Sequence, residues 1–151
     1  MLDKDAGVAA PLILNAEGMI EDSARKFPIP LSLLGKALGI RKRLDYEIGN
    51  QLLFPDWLGG MFLLFPSSIY RKMNRGFDER FFLYYEDVDL CARLYLSGYR
   101  AALNPGVSVV HDARRTSHKK IKYLVLHLTS MFRFLLSRPL RVIIWRRLMG
   151  R

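Results

Sequence analysis

A mixed α/β fold is predicted, because strand-length apolar runs alternate along the chain with segments of helical periodicity, and because half of the residues are apolar. At 151 residues the chain is long enough to bury a core without metal or disulfide staples. The single cysteine, Cys91, has no partner for an internal disulfide, and no Cys/His cluster with zinc-ligand spacing occurs. The expectation is therefore a reducing compartment, no structural zinc, and a Cys91 that fills core space.

Taking the elements in order, Val8 to Leu14 is an apolar run ending in Asn15-Ala16-Glu17-Gly18, a strand running into a turn. Pro28 to Gly39 mixes prolines, glycines and leucines ahead of Arg41, Lys42 and Arg43, which reads as an ordered loop with a short helix. Leu58 to Phe65 is a second strand-like run. Pro66-Ser67 offers a stop and an N-cap for a helix over Ile69 to Met73. Val88, Cys91, Ala92 and Tyr95 recur at helical spacing within Glu86 to Leu96, and Ser97-Gly98 closes that helix. Tyr99 to Leu103 and Val107 to His111 are β-like runs, with Asn104-Pro105-Gly106 as a turn between them. Ile121, Leu124, Val125, Leu128, Met131, Phe132 and Leu135 predict an amphipathic helix from Ile121 to Leu136; Leu126 and Phe134 break its polar side, so more than one face is expected to be buried.

Lysine and arginine number 24 against 14 aspartates and glutamates, a formal charge of +10. From Arg114 onward every charged side chain is basic. The chain thus divides, in expectation, into a domain at residues 1–112 and a basic helix and tail at 113–151. A basic tail carrying aromatic residues fits a polyanion, either nucleic acid or an anionic membrane surface. Arg138, Arg141, Arg146 and Arg147 interleaved with Ile143, Ile144 and Trp145 suit the cytoplasmic face of a membrane. The start Met-Leu-Asp-Lys-Asp lacks the pattern of a secretory signal, and the Tyr123–Leu136 run, with His127 and Arg133 inside it, is too short to span a bilayer.

Chemistry concentrates at Glu86, Asp87 and Asp89, preceded by the apolar and aromatic residues Phe81 to Tyr85. If that stretch enters a packed sheet edge and a helix starts at Glu86, the acids crowd a helix N-terminus. The dipole and free amides there favour an ionised carboxylate, while burial under Tyr84 and Tyr85 raises its pKa, a combination suited to a general base. The same residues also serve as simple dipole partners, with Asp89 and Arg93 an ordinary i, i+4 pair. On composition alone both uses stay open. Equally, Trp57 is core or platform, Gly59-Gly60 a bend or a close approach, and His111 structural or functional.

Several separated motifs occur in register from about residue 6 to about residue 137: Asp56-Trp57-Leu58-Gly59-Gly60-Met61-Phe62-Leu63, Gly76-Phe77-Asp78-Glu79-Arg80-Phe81-Phe82, Tyr85-Glu86-Asp87-Val88-Asp89-Leu90, Gly98-Tyr99 and Val109-Val110-His111. Pro11-Leu12, Gly18 and Ser23-Ala24-Arg25-Lys26-Phe27-Pro28 extend the pattern. In content and order this resembles the second half of rhamnosyltransferase-like family 2 glycosyltransferases of bacteria. The resemblance implies an incomplete GT-A domain, Rossmann-like, lacking its nucleotide-binding first half. It implies inverting transfer of a sugar, with rhamnose the subgroup's example, from a nucleotide-sugar donor to a cell-envelope polysaccharide or lipid-linked acceptor. Asp87 then maps to the base and Glu86 to its assistant. Trp57, Gly59, Gly60 and Asp56 map to the sugar and acceptor cleft, and His111 to a ligand of the divalent cation, Mg or Mn, that the complete domain uses.

The donor side is the gap. Asp3-Lys4-Asp5 and Asp87-Val88-Asp89 fit Asp-x-Asp by letter, but the first precedes a mid-domain strand and the second belongs to the acceptor-side helix. A diphosphate-bound cation needs several oxygen ligands at once. Weak donor binding by this chain alone is expected, unless a partner chain supplies the N-terminal half. The resulting expectation is a fragment or partial enzyme, cytoplasmic and peripheral at the inner membrane. The alternatives are a non-catalytic, acceptor-binding remnant and, on the tail alone, a basic nucleic-acid-binding protein.

Overall fold

A computed structural model describes residues 5–30, 33, 35, 44–73, 76–112 and 121–150 of the chain. Most of the loop expected between Pro28 and Gly39, the basic residues Arg41 to Arg43, Asp3, Lys4, and the basic stretch from Arg114 to Lys120 lie outside the described residues.

β1 (Ala6–Leu14) and β4 (Arg100–Val110) pair in parallel at the centre. β1 is buried on both faces along most of its length, as its unbroken apolar sequence requires. Gly7 allows this crowding: a Cβ there would lie 2.6 Å from Tyr99 Cβ and 2.9 Å from Leu94 Cδ2. A parallel pair needs a crossover, and the chain between β1 and β4 supplies one containing α1 (Ser67–Lys72) and α2 (Glu86–Leu96). The free edges are met by short contacts only. Ala9 and Leu64 exchange backbone hydrogen bonds of 2.9 and 2.8 Å, and Leu53 and Leu103 exchange bonds of 3.0 and 2.8 Å. The Asn15–Gly18 turn forms as expected, with Asn15 Oδ1 accepting from the amides of Glu17 and Met19.

Three expected elements take a different form. The runs Tyr99–Leu103 and Val107–His111 are one strand, not two joined by a turn. Asn104-Pro105-Gly106 is absorbed as a bulge, the register jumping from Pro11↔Asn104 to Leu12↔Ser108. Both halves of β4 keep the same parallel partner, so a reversal there is impossible, and Pro11, which has no N–H to give, sits where the ladder breaks. Leu58–Phe65 is not a continuous strand. Only β3 (Trp57–Leu58) is regular, antiparallel to β2 (Ala24–Arg25), before the chain bends at Gly60. The cap of α1 is Pro66 without a side-chain hydrogen bond, Ser67 being already helical.

α2 has the predicted bounds and a buried Val88, Asp89, Leu90, Cys91, Ala92 and Leu94. Its end is a Schellman motif: Gly98, at φ +86°, donates to the Tyr95 carbonyl, and Tyr99 donates to that of Leu94. Burial pushes the Cys91 thiol up to about 12, so it stays a protonated core group.

The last two helices are α3 (Ile121–Leu135) and α4 (Arg138–Leu148), with Ser137 accepting from the Leu140 amide as N-cap of α4. Phe134, Leu140 and Ile143 are fully buried and belong to the same core as β1 and α2. Most of the predicted face of α3 is turned outward, although its Met131 and Leu135 are half-buried against the core. Ser130 and Phe134 are buried and Tyr123, Leu126 and His127 half-buried, while Ile121, Leu124, Val125, Leu128 and Phe132 are exposed. The break in the polar side at Leu126 and Phe134 was thus the packing face. Among the described residues no helix is long and apolar enough to cross a membrane.

Candidate active site

The five residues before α2 do not enter a sheet edge. They form a series of bends ending in Tyr84 and Tyr85, both at φ +67°. Aromatic residues occupy the left-handed region only at a cost of about 1–2 kcal/mol each. Here α3 holds them: Ser130 Oγ donates to the Leu83 carbonyl at 2.8 Å, Arg133 donates to the Arg80 carbonyl, and His127 meets the rings of Tyr84 and Tyr85 edge-on at 5.1 and 5.5 Å. From below, Arg93 Nε contacts Asp89 Oδ2 at 2.7 Å and its Nη2 donates to the Gly76 carbonyl at 2.6 Å. Asp78 and Arg80 pair beside it at 2.6 Å, which holds the Asp78 carboxyl down at about 2. The whole Gly76–Tyr85 segment is therefore pinned on two sides, and it sets the angle at which α2 begins.

At that start, Asp87 Oδ2 accepts from the Gly60 amide and Oδ1 from the Val88 amide, both at 2.8 Å. Each carboxylate oxygen keeps a lone pair for another donor. Burial raises the pKa of Asp87, and the Gly60 and Val88 amides, with Arg25 nearby, partly offset it. Glu86 is raised for the same first reason, and its Oε2 is buried without a hydrogen-bond partner. The third acid differs. Asp89 is buried, points away to Arg93, and has its pKa raised by burial, which the ion pair only partly counters. The expected i, i+4 pair is real, and it separates Asp89 from the two acids of the cleft.

Glu86 and Asp87 line a cleft of about 410 Å³ together with Trp57, Gly59, Arg25 and His127. A larger cavity of about 600 Å³ lies between α1, α2 and α4, but among the described residues its charged lining is Lys72, Arg93, Arg138 and Arg146, with no acid or imidazole to move a proton. The smaller cleft is the one whose lining brings carboxylates and an imidazole together. Trp57 forms part of its wall from within the core. The indole Nε1 donates to the Lys26 carbonyl at 3.0 Å, and the Arg25 guanidinium lies 5.3 Å from the ring centroid. Gly60 contributes its amide to Asp87, and a Cβ there would stand 3.5 Å from Asp87 Oδ2.

Two expected site residues fall elsewhere. Asp56 Oδ2 accepts from the Phe27 amide and from Arg147 Nη2, both at 2.7 Å, so it clasps α4 to the segment after β2 and is not among the residues lining the cleft. His111 follows β4, its amide bonded to the Leu14 carbonyl at 2.8 Å and its Nδ1 buried without a hydrogen-bond partner. That orphaned nitrogen has the chemistry of a metal ligand. However, no group of three or more His, Cys, Asp or Glu stands together among the described residues, so His111 does not by itself form a divalent-cation site. Sequence reasoning did not select Arg25 or His127 as site residues. Arg25 lies inside the Ser23–Pro28 motif, whereas His127 reaches the cleft from a helix distant in sequence and carries no local signal.

The chain is 35% identical over 123 residues to rhamnosyltransferase WbbL of Escherichia coli K12, a match covering 80% of this chain and 46% of that protein. It is 33% identical over 144 residues to the N-acetylglucosaminyl-diphospho-decaprenol L-rhamnosyltransferase of Mycobacterium tuberculosis, covering 88% of this chain and again 46% of that protein. The chain is related to bacterial rhamnosyltransferases. It spans about half the length of the curated relatives it matches. No protein-family model matches, and no solved structure does. The small parallel sheet with its helices is compatible with part of a Rossmann-like glycosyltransferase.

Proposed function

We propose that the chain carries the acceptor side of an inverting glycosyltransferase, with Asp87 as general base. The observation that carries this reading is a carboxylate fixed by two backbone amides on the wall of a cleft, with a raised pKa and a lone pair left on each oxygen. In the reaction, an acceptor hydroxyl oxygen attacks the anomeric carbon of a nucleotide-sugar. The bond from that carbon to the diphosphate oxygen breaks, its electron pair leaving with the diphosphate, and the hydroxyl proton passes to Asp87. Glu86, half-buried beside it, orients the acceptor. Arg25 and the edge of Trp57 line the same cleft, where a sugar ring can pack and hydrogen-bond. The transferred sugar is rhamnose, as the names of both relatives support, and the acceptor is lipid-linked, as the mycobacterial relative's name supports. A lipid-linked acceptor places the protein peripherally at an anionic membrane surface.

A divalent cation would neutralise the departing diphosphate. Among the described residues, His111 Nδ1 is the one donor we assign to it. Transfer is assayed with the chain alone and with the remaining length of a relative added, and the product is examined by NMR. The anomeric configuration is expected to be opposite to that of the donor. Retained configuration would overturn direct displacement with Asp87 as base.

A further inference from the structure

On α3 the packing face and most of the apolar stripe lie on opposite sides, with Leu135 at the end of the stripe half-buried against the core. At 100° per residue, Tyr123, Leu126, His127, Ser130 and Phe134 point to one side of the helix, and Ile121, Leu124, Val125, Leu128 and Phe132 to the other. The stripe runs from 40% exposed at Leu128 to 82% at Ile121, and Leu136 continues it at 76%. Apolar side chains sustained over four helical turns do not remain in water without a use. Basic groups border them. Lys122 and Arg133 lie along one flank of the stripe. At the α3–α4 elbow, Arg133, Arg138 and Arg141 line a recess of about 430 Å³ with the two ion-paired arginines Arg80 and Arg93. Asp78 and Asp89 are the two carboxylates of that recess and are already paired, so five guanidiniums meet two carboxylates. Along α4, Arg138, Arg141, Trp145 and Leu148 share the exposed side. Arg147 does not join them, being drawn inward to Asp56.

We infer that this face docks on an anionic lipid bilayer, with the α3 stripe among the acyl chains, Trp145 at the interface, and lipid phosphates held at the elbow by Arg133, Arg138 and Arg141. The occupant follows from the chemistry: an apolar stripe flanked by basic residues matches a surface that is apolar inside and phosphate-rich outside. A nucleic acid would use the arginines and leave the stripe wet. The inference rests on the proposed membrane location and adds the face. It also brings the lipid to the reaction, because the side of α3 opposite the stripe carries His127 into the cleft. The cleft wall formed by His127 then lies about one helix diameter, roughly 10 Å, from the bilayer side of α3.

The test is sedimentation of the 151-residue chain with vesicles containing phosphatidylglycerol or with vesicles of phosphatidylcholine alone. Tryptophan emission is recorded in parallel, since Trp145 is exposed and Trp57 buried. The wild-type chain should prefer the anionic vesicles and shift its emission to the blue, and Trp145→Phe should abolish the shift. Leu124→Glu with Leu128→Glu, both at exposed positions, should weaken partitioning at least about tenfold. Arg138→Gln with Arg141→Gln should weaken it about thirty-fold. Arg71→Gln with Lys72→Gln, the same charge removed from α1, should leave it within about twofold. If the wild-type chain ignores both vesicles, the membrane location itself fails. Undiminished binding by the stripe variant, or equal losses from the two charge variants, overturns this face alone. So does a lipid-free dimer that the stripe variant dissociates, or binding to duplex DNA tighter than to vesicles.

Discussion

Replacing Arg93 by leucine tests whether the segment leading to the acids is held as described. Arg93 contacts Asp89 at 2.7 Å and the Gly76 carbonyl at 2.6 Å, and the side chains of Arg93 and Asp89 are 25% and 3% exposed. Leucine fills similar space but leaves a buried carboxylate without its cation. Removing one member of a buried pair costs about 3–5 kcal/mol, and the low end applies because part of Arg93 reaches solvent. A loss of about 3 kcal/mol near neutral pH corresponds to a fall in Tm of about 6–12 °C for a chain of this size. The pH dependence carries a sign. Burial already raises the Asp89 pKa, so its ionisation disfavours the folded state, and stability is lost as pH rises through the folded value. Without Arg93 that pKa rises further. The deficit of the variant should therefore grow as pH rises above the ordinary aspartate range and shrink on acidification. Urea unfolding at several pH values measures it, and Asp89→Asn in the Arg93→Leu background should recover much of the loss. A deficit below about 1 kcal/mol, or one independent of pH, would refute the clamp.

Other outcomes follow from single contacts. Gly7→Ala forces a Cβ to 2.6 Å from Tyr99 Cβ and should cost about 1–3 kcal/mol by overpacking, read by chemical unfolding. Ser130→Ala removes the hydrogen bond to the Leu83 carbonyl and should lower stability by about 1 kcal/mol while lowering transfer more than stability, because it releases the loop before Asp87. The pH–rate profile of transfer should rise through an inflection above the ordinary aspartate range, since burial raises Asp87 and the base must be ionised; an inflection at or below that range would contradict the burial argument.

The helix bearing the acids was legible because every signal for it is local: acids at its start, apolar spacing within it, and Gly98 at its end. β1 was legible for the same reason. The β4 bulge was not, because Asn104-Pro105-Gly106 has the composition of a turn, and only the parallel partner β1, nearly a hundred residues away in sequence, forces the chain to continue straight. The packing side of α3 was legible only in part, from Leu126 and Phe134, because two apolar faces compete. Periodicity picks the stronger, whereas packing chose the face with Ser130, which has a carbonyl to bond, and Phe134, which has a core to enter. At the site, Glu86, Asp87, Trp57 and Gly59 were read from sequence and do converge. Asp56 was read as a cleft residue from its place beside Trp57, but its carboxylate turns to Arg147, 91 positions away. No short-range pattern encodes that choice.

Asp87→Asn addresses the base directly. Asparagine keeps the size of the side chain and an oxygen for one of the two amides from Gly60 and Val88, so the variant should fold and sediment with anionic vesicles as the wild-type chain does. Sugar transfer, measured at saturating donor and acceptor, should fall by about 10²–10⁴-fold. Undiminished transfer by Asp87→Asn would contradict the account at its centre.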